Sequence, residues 1–181
     1  ISDEPYRKIS YGMEVPSLFD AHQNSVICTS HSKDLGLPGE RIGFAAINPR
    51  SEGAAELFGA MAVTNRILGF VNAPALMQRA VAEVQDSCID PEIYRKKRDM
   101  FVAGLRDAGL DVVEPEGAFY LFPKTPIPND VEFVNLLAEK LILAVPGRGF
   151  SRAGHIRLAY CVDDDTIERA LPRFAEVMKS L

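Results

Sequence analysis

The sequence predicts a mixed α/β chain in two parts. Residues 1–90 read as the end of a larger α/β layer, residues 109–181 as a compact α+β unit, and a helix over 91–108 connects them. Three observations predict this. Two short, continuous apolar runs bounded by glycine and proline, 25–29 and 42–47, have the pattern of strands covered on both faces. Asp90-Pro91-Glu92 is a strong helix start: a capping side chain, a proline at the first helical position and an acid in the first turn. Beyond Gly109 the pattern breaks into shorter apolar units separated by turn residues.

The elements follow in order. Ile1-Ser2-Asp3-Glu4 reads as the tail of a buried strand meeting a polar loop, and with no methionine in front it predicts a piece of a longer polypeptide. Between the strands at 25–29 and 42–47 lies a loop from Lys33 to Arg41. Ser51 is placed to cap a helix from Glu52 through Met61-Ala62-Val63, with Glu52 and Glu56 at its positive end. Gly69 interrupts, and Pro74 restarts a helix that reaches Val84. In the 91–108 helix, Ile93, Met100, Phe101 and Leu105 form the apolar face and Lys96, Lys97 and Arg98 the solvated one; Gly109 closes it. Strands are expected at 110–113, 118–122, 141–145 and 155–160, and a helix at 132–140. A last helix runs from Asp164 to the C-terminus, with Pro172 expected to kink it.

Composition narrows the function classes. A net charge of −5 and a pI near 5.3 argue against nucleic acid or an anionic membrane as partner. No apolar run reaches the ~18 residues of a spanning helix, and no signal-peptide pattern opens the chain. Cys28, Cys88 and Cys161 form no C-x-x-C and sit among apolar neighbours, so they are expected to be reduced core thiols in a cytoplasmic protein. No Cys/His spacing suggests a metal site.

The segment Ser30-His31-Ser32-Lys33, followed by Gly39-Glu40-Arg41-Ile42-Gly43, carries the chemistry. A lysine sheltered at a strand end, with hydroxyls before it and a guanidinium after it, suits imine chemistry on a phosphorylated aldehyde. Four further pieces follow the same order along the chain: Ser2-Asp3-Glu4-Pro5-Tyr6; Pro115 to Pro123; Val145-Pro146-Gly147; and His155-Ile156-Arg157-Leu158. Together they resemble the class I/II aminotransferases, the fold-type I enzymes that use pyridoxal 5'-phosphate, over the whole chain.

The resemblance implies a partial fold-type I aminotransferase, comprising the end of the large-domain sheet and the small C-terminal domain. It implies amino-group transfer between an amino acid and a 2-oxo acid, and a homodimer for the full-length protein. It also implies roles. Lys33 forms the internal imine and moves a proton to and from the substrate α-carbon, which requires an amine able to be neutral. Asp3 faces the pyridine nitrogen and keeps it protonated. Tyr6 bonds the cofactor's phenolic oxygen. Ser30 and Arg41 hold the phosphate, the latter through its planar fork. Arg157, a guanidinium among apolar strand residues, meets the substrate α-carboxylate. Glu4 is assigned to structure. The family's glycine-containing phosphate loop and ring-stacking aromatic belong to a first half that these residues do not include, so the chain by itself is expected to bind cofactor weakly and to lack activity.

Each assignment has a plainer alternative. Lys33 would otherwise be a surface lysine in a glycine-rich loop, Asp3 a loop or capping residue, and Tyr6 a half-buried core tyrosine; Arg41 and Asp3 in register favour the functional reading of Lys33. Arg41 would serve as a salt-bridge partner of Glu40 or Glu52. For the carboxylate role Arg148 and Arg152 rival Arg157, which would otherwise be a structural ion pair. At the level of function, a β-lyase or decarboxylase on the same scaffold and a non-catalytic interaction fragment stand as alternatives. A nucleotide-binding domain is disfavoured, because the Gly36–Gly39 loop lacks the G-x-x-x-x-G-K-[ST] pattern.

Overall fold

Two three-stranded sheets organise the chain, one in each of two units, Ile1–Ile89 and Asp90–Leu181; the computed structural model describes residues 1–181.

In the first unit, β1 (Ser2–Asp3) pairs in parallel with β2 (Val26–Ser30). Between them in sequence, α1 (Leu18–Ala21) is capped by the Ser17 hydroxyl, which accepts from the Phe19 N–H at 3.2 Å. The chain passes from β2 directly into α2 (His31–Asp34), makes a 3₁₀ turn at Pro38–Glu40, and returns antiparallel as β3 (Gly43–Ile47). The sheet order is β1-β2-β3, with Asp3 opposite Cys28 and Gly43 opposite Ser30. The expected strands are present, but β3 is not covered on both faces: Gly43, Phe44 and Ala45 are exposed.

Two helices close the unit, α3 (Ala54–Ile67) and α4 (Ala75–Val84). The cap expected at Ser51 is absent. Its hydroxyl instead donates to the Gln23 carbonyl at 2.9 Å, and Gly53, at φ 66°, stands at the helix start. No side chain of α3 is buried, and Phe58, Ile67 and Phe70 face outward. The apolar side chains buried in this unit are Ile9, Val26, Ile42 and Val81.

The second unit has a fuller interior. Its first helix, α5 (Pro91–Asp107), starts as expected, with the Asp90 carboxylate accepting from the Glu92 N–H at 3.0 Å. Then follow β4 (Tyr120–Leu121), α6 (Asp130–Glu139), β5 (Val145–Pro146), β6 (Ile156–Ala159) and α7 (Asp164–Lys179), a single helix through Pro172. The strands pair antiparallel in the order β4-β6-β5. Phe101, Val102 and Leu105 of α5 meet Ile167, Phe174 and Val177 of α7 in the core, with the Phe101 and Phe174 rings edge to face at 6.1 Å. Each such side chain contributes about 1.5–3 kcal/mol by leaving water.

Several expectations change here. Arg98 is buried rather than solvated. It lies on the Phe101–Leu105 face, and its guanidinium pairs with Asp99 and Glu114 at 2.6 and 3.3 Å while donating to the Pro115 carbonyl at 2.8 Å. Ile93, expected in the apolar face, is exposed. The strand expected at 110–113 is a single bridge from Asp111 to Lys124, and that at 118–122 shrinks to β4, Ala118 having a positive φ of 58°. Residues 141–144 form no strand. Leu141 takes the left-handed conformation (φ 60°) and ends α6, with its N–H bonded to Ala138 and that of Ile142 to Leu137. This is the Schellman arrangement of a helix C-terminus. The cysteines also differ from expectation: Cys28 and Cys88 are half-buried, Cys161 is exposed, and no disulfide joins them.

Candidate functional site

Strand alternation places the first group of candidate residues. Residues paired across a sheet point to the same side, and residues two apart in a strand do so as well. Asp3 is opposite Cys28, so it shares a face with Cys28 and Ser30, and Asp3 and Ser30 each end their strand. The two candidates thus meet on one side of the sheet at one end of β1 and β2. The first turn after β2 is α2, which carries Lys33, half-buried. The Lys33 ammonium lies over the Tyr6 ring, 5.9 Å from its centroid, which brings together two residues distant in sequence.

The backbone around this point is fixed by short bonds. Glu4 N–H donates to the Cys28 carbonyl at 2.8 Å, and the Thr29 hydroxyl donates to the Glu4 carbonyl at 3.2 Å. Glu4 itself pairs with Arg7 at 3.0 Å, in keeping with a structural role. His31 N–H donates to the Ile42 carbonyl at 3.1 Å, which lays the Arg41–Ile42 segment beside the start of α2. Gly43 is required here: a Cβ would stand 2.9 Å from Ser30 Cα and closer still to the Thr29 carbonyl oxygen.

Arg41 caps the 3₁₀ turn with a left-handed backbone (φ 50°), is exposed, and donates from Nη1 to the Pro38 carbonyl at 2.6 Å. It pairs with neither Glu40 nor Glu52, so the salt-bridge alternative does not hold in this structure. The opposite face of the sheet, including Ile27, Thr29, Phe44 and Ala46, lines a cleft of about 430 Å³ into which Lys8, His31 and Asp34 also project.

Arg157 belongs to the second unit, where β6 holds it opposite Val145. Its guanidinium lies over two rings, 4.8 Å from the Tyr120 centroid and 4.4 Å from that of Phe150. Such cation–π contacts are compatible with in-plane N–H bonds to an anion. It has no carboxylate partner. Its rival Arg148 is committed elsewhere: Nε donates to the fully buried Asp130 carboxylate at 2.8 Å, the Arg148 N–H donates to the same carboxylate at 2.8 Å, and Nη2 donates to the Asn129 amide oxygen at 3.0 Å. The hydrogen bond from Arg148 holds the Asp130 carboxyl below the usual carboxylate range, against the opposing effect of burial. It also pushes the Arg148 guanidinium up. Arg152 remains exposed.

Four contributors are not singled out by the sequence: Gly43 stands only within a motif, and Lys8, His31 and Asp34 carry no role there. The i,i+3 spacing of His31 and Asp34 was the available signal. No group of three or more His, Cys, Asp or Glu side chains could hold a metal ion, and no helix is long and apolar enough to cross a membrane.

The chain is similar to known proteins over nearly its whole length. Residues 1–174 match the family model for aminotransferase class I and II. The chain is 30% identical to a probable aspartate/prephenate aminotransferase of Thermus aquaticus over 185 residues, covering 99% of this chain and 48% of that protein. It is 32% identical to the aspartate/prephenate aminotransferase of Thermus thermophilus, with 98% and 47% covered. Among solved structures, an aminotransferase from Eubacterium rectale superposes with a TM-score of 0.94 at 37% identity over 98% of this chain and 45% of that one. The aspartate aminotransferase of Thermotoga maritima gives 0.82 at 27% identity, with 98% and 47% covered. The fold is therefore a partial aminotransferase α/β fold, and the chain spans about half the length of the curated relatives it matches. The chain belongs to the aminotransferase class I and II family. Members of that family are generally dependent on pyridoxal phosphate. The donor set fits that group: an amine for an aldehyde, a carboxylate for a ring nitrogen, a phenol for a phenolic oxygen, and a hydroxyl with a guanidinium for a phosphate.

Proposed function

We propose that this chain supplies the lysine-bearing half of a pyridoxal-phosphate-dependent aminotransferase that moves an amino group between an amino acid and a 2-oxo acid. The observation that carries the reading is the Lys33 amine held 5.9 Å over the Tyr6 ring, at the end of the strand next to the one that bears Asp3. Bound pyridoxal phosphate supplies an aldehyde that captures amines and a ring that withdraws electrons. Lys33 attaches the cofactor and, once released, moves the proton at the substrate α-carbon. Asp3 holds a proton on the ring nitrogen, and Tyr6 donates to the phenolic oxygen. Ser30 and Arg41 bind the phosphate. Arg157 pairs with the substrate α-carboxylate, a role supported by its uncommitted guanidinium edge and by the engagement of Arg148 with Asp130. The relatives named for aspartate and prephenate suggest an acidic amino acid as substrate.

Because the chain spans about half of its relatives, the activity is proposed for the whole protein, and residues 1–181 alone are expected to bind cofactor weakly. A homodimer is proposed for the whole protein, supported by the outward-facing Phe58, Ile67 and Phe70 and by the family's general habit. A cytoplasmic location is proposed because no disulfide joins the three cysteines.

The test is Lys33→Ala in the whole protein. The imine absorbance of lysine-bound pyridoxal phosphate should vanish, along with amino-group transfer to 2-oxoglutarate from a panel of amino acids. Persistence of the band would overturn the assignment of Lys33.

A further inference from the structure

Two buried titratable side chains stand next to the proposed site and take no part in the chemistry above. His31 and Asp34 both lie on α2, on either side of Lys33 in sequence. His31 Nδ1 is 3.3 Å from Asp34 Oδ2, and the same oxygen is 3.8 Å from Lys8 Nζ. The other carboxylate oxygen accepts from the Leu35 N–H at 2.8 Å. The Asp34 carbonyl accepts from the Ile89 N–H at 2.7 Å. Lys8 in turn donates to the carbonyls of Gln85 and Ser87 at 2.5 and 3.2 Å.

One aspartate therefore ties three stretches together: the turn after β1, the α2 helix and the segment that follows α4. Burying a carboxylate requires compensating donors, and here Lys8, His31 and the Leu35 N–H provide them, while the segment after α4 bonds the Asp34 backbone carbonyl. The position of the knot matters. The ladder between β1 and β2 stops at Asp3 and Cys28, and beyond it Glu4 bonds to the Cys28 carbonyl and the Thr29 hydroxyl. Asp34 is the residue after Lys33, and Lys8 follows Tyr6 by two. Their contact bridges the two backbones where the sheet no longer does.

We propose that Asp34, acting through Lys8 and His31, is a positioning residue that keeps the Lys33 amine and the Tyr6 phenol in register for the cofactor aldehyde. The inference rests on the reading of Lys33 as the cofactor lysine. A purely local role, in which Asp34 only ends α2 through Leu35, would make Lys8 irrelevant.

The experiment is chemical trapping on the whole protein that contains this chain. Protein and pyridoxal phosphate are mixed, reduced with sodium borohydride and digested, and each modified lysine peptide is quantified by mass. Amine and aldehyde condense with loss of water, and borohydride delivers the hydride that leaves a stable secondary amine. Lys96, Lys97, Lys124, Lys140 and Lys179 serve as internal competitors. Lys33 should take the largest share in the unaltered protein. That share should fall on the order of tenfold in Lys8→Met and in Asp34→Asn, as expected when a reacting group loses its orientation. Lys8→Arg should preserve it, and the double variant should be no worse than either single one. Amide hydrogen exchange at residues 5–8 and 31–35 should quicken in both single variants. Lys8 is exposed, so Lys8→Met carries the test even where Asp34→Asn folds poorly. If Lys33 is labelled preferentially but Lys8→Met leaves its share unchanged, the positioning role is overturned while the Lys33 reading stands. If the unaltered protein shows no preference for Lys33, both are overturned.

Discussion

Gly43→Ala tests how closely the sheet and the proposed phosphate site are joined. The glycine pairs with Ser30 across β2 and β3, and an added Cβ meets backbone on the partner strand rather than a movable side chain. The Cβ would stand 2.9 Å from Ser30 Cα. Carbon atoms settle at about 3.5–4.0 Å, so the strands must part by roughly 0.6–1 Å at this point. Overpacking of this kind costs about 1–3 kcal/mol. In a chain of this length, that lowers the melting temperature by about 2–4 °C for each kcal/mol. The displacement falls on Ser30 itself, the residue assigned to the phosphate, and a shift near 1 Å at a reacting site is worth up to about a hundredfold in rate. The assay pairs thermal unfolding followed by far-UV circular dichroism with absorbance titration of pyridoxal phosphate in the whole protein. Both stability and cofactor affinity should fall together. An alanine variant with the melting temperature and affinity of the parent would refute the close approach of the two strands and its link to Ser30.

Acid should weaken the second unit through Asp130. Its folded-state carboxyl lies below the ordinary value, chiefly through the hydrogen bond from Arg148. The stability it contributes is complete above the unfolded value of about 3.9 and is lost as pH falls through the folded value. Urea unfolding between pH 2 and 7 should show that limb in the parent and a shallower one in Asp130→Asn; equal limbs would remove Asp130 as the cause. Phe174→Ala, at a side chain wholly enclosed by the α5–α7 core, should cost about 3–5 kcal/mol, read by urea unfolding of the second unit. A loss below about 1 kcal/mol would mean that the two helices do not depend on that ring.

What the sequence made legible was local. The apolar run at 25–29 became β2, and Asp90-Pro91-Glu92 became a capped helix start, because strand runs and N-caps are written within a few neighbouring residues. Asp3, Ser30 and Lys33 fall near the ends of β1 and β2, since strand alternation and an immediate turn decide that geometry. What was misread depends on distant partners. Arg98 looked solvated beside Lys96 and Lys97, yet it shares a helix face with Phe101 and Leu105 and finds Glu114 and the Pro115 carbonyl across a turn. Leu141-Ile142-Leu143 looked like a strand because its residue types favour one, whereas the preceding helix uses Leu141 for its left-handed ending. The Asp130–Arg148 pair spans a whole helix and leaves no trace in local spacing.

Arg41 brings a conflict between durability and use. A left-handed backbone at a residue with a Cβ carries about 1–3 kcal/mol of torsional cost, which glycine would relieve. Glycine would also delete the guanidinium proposed to clasp the phosphate. Selection of this protein for heat tolerance alone would therefore favour discarding that side chain, and a hardier descendant would hold its cofactor less firmly.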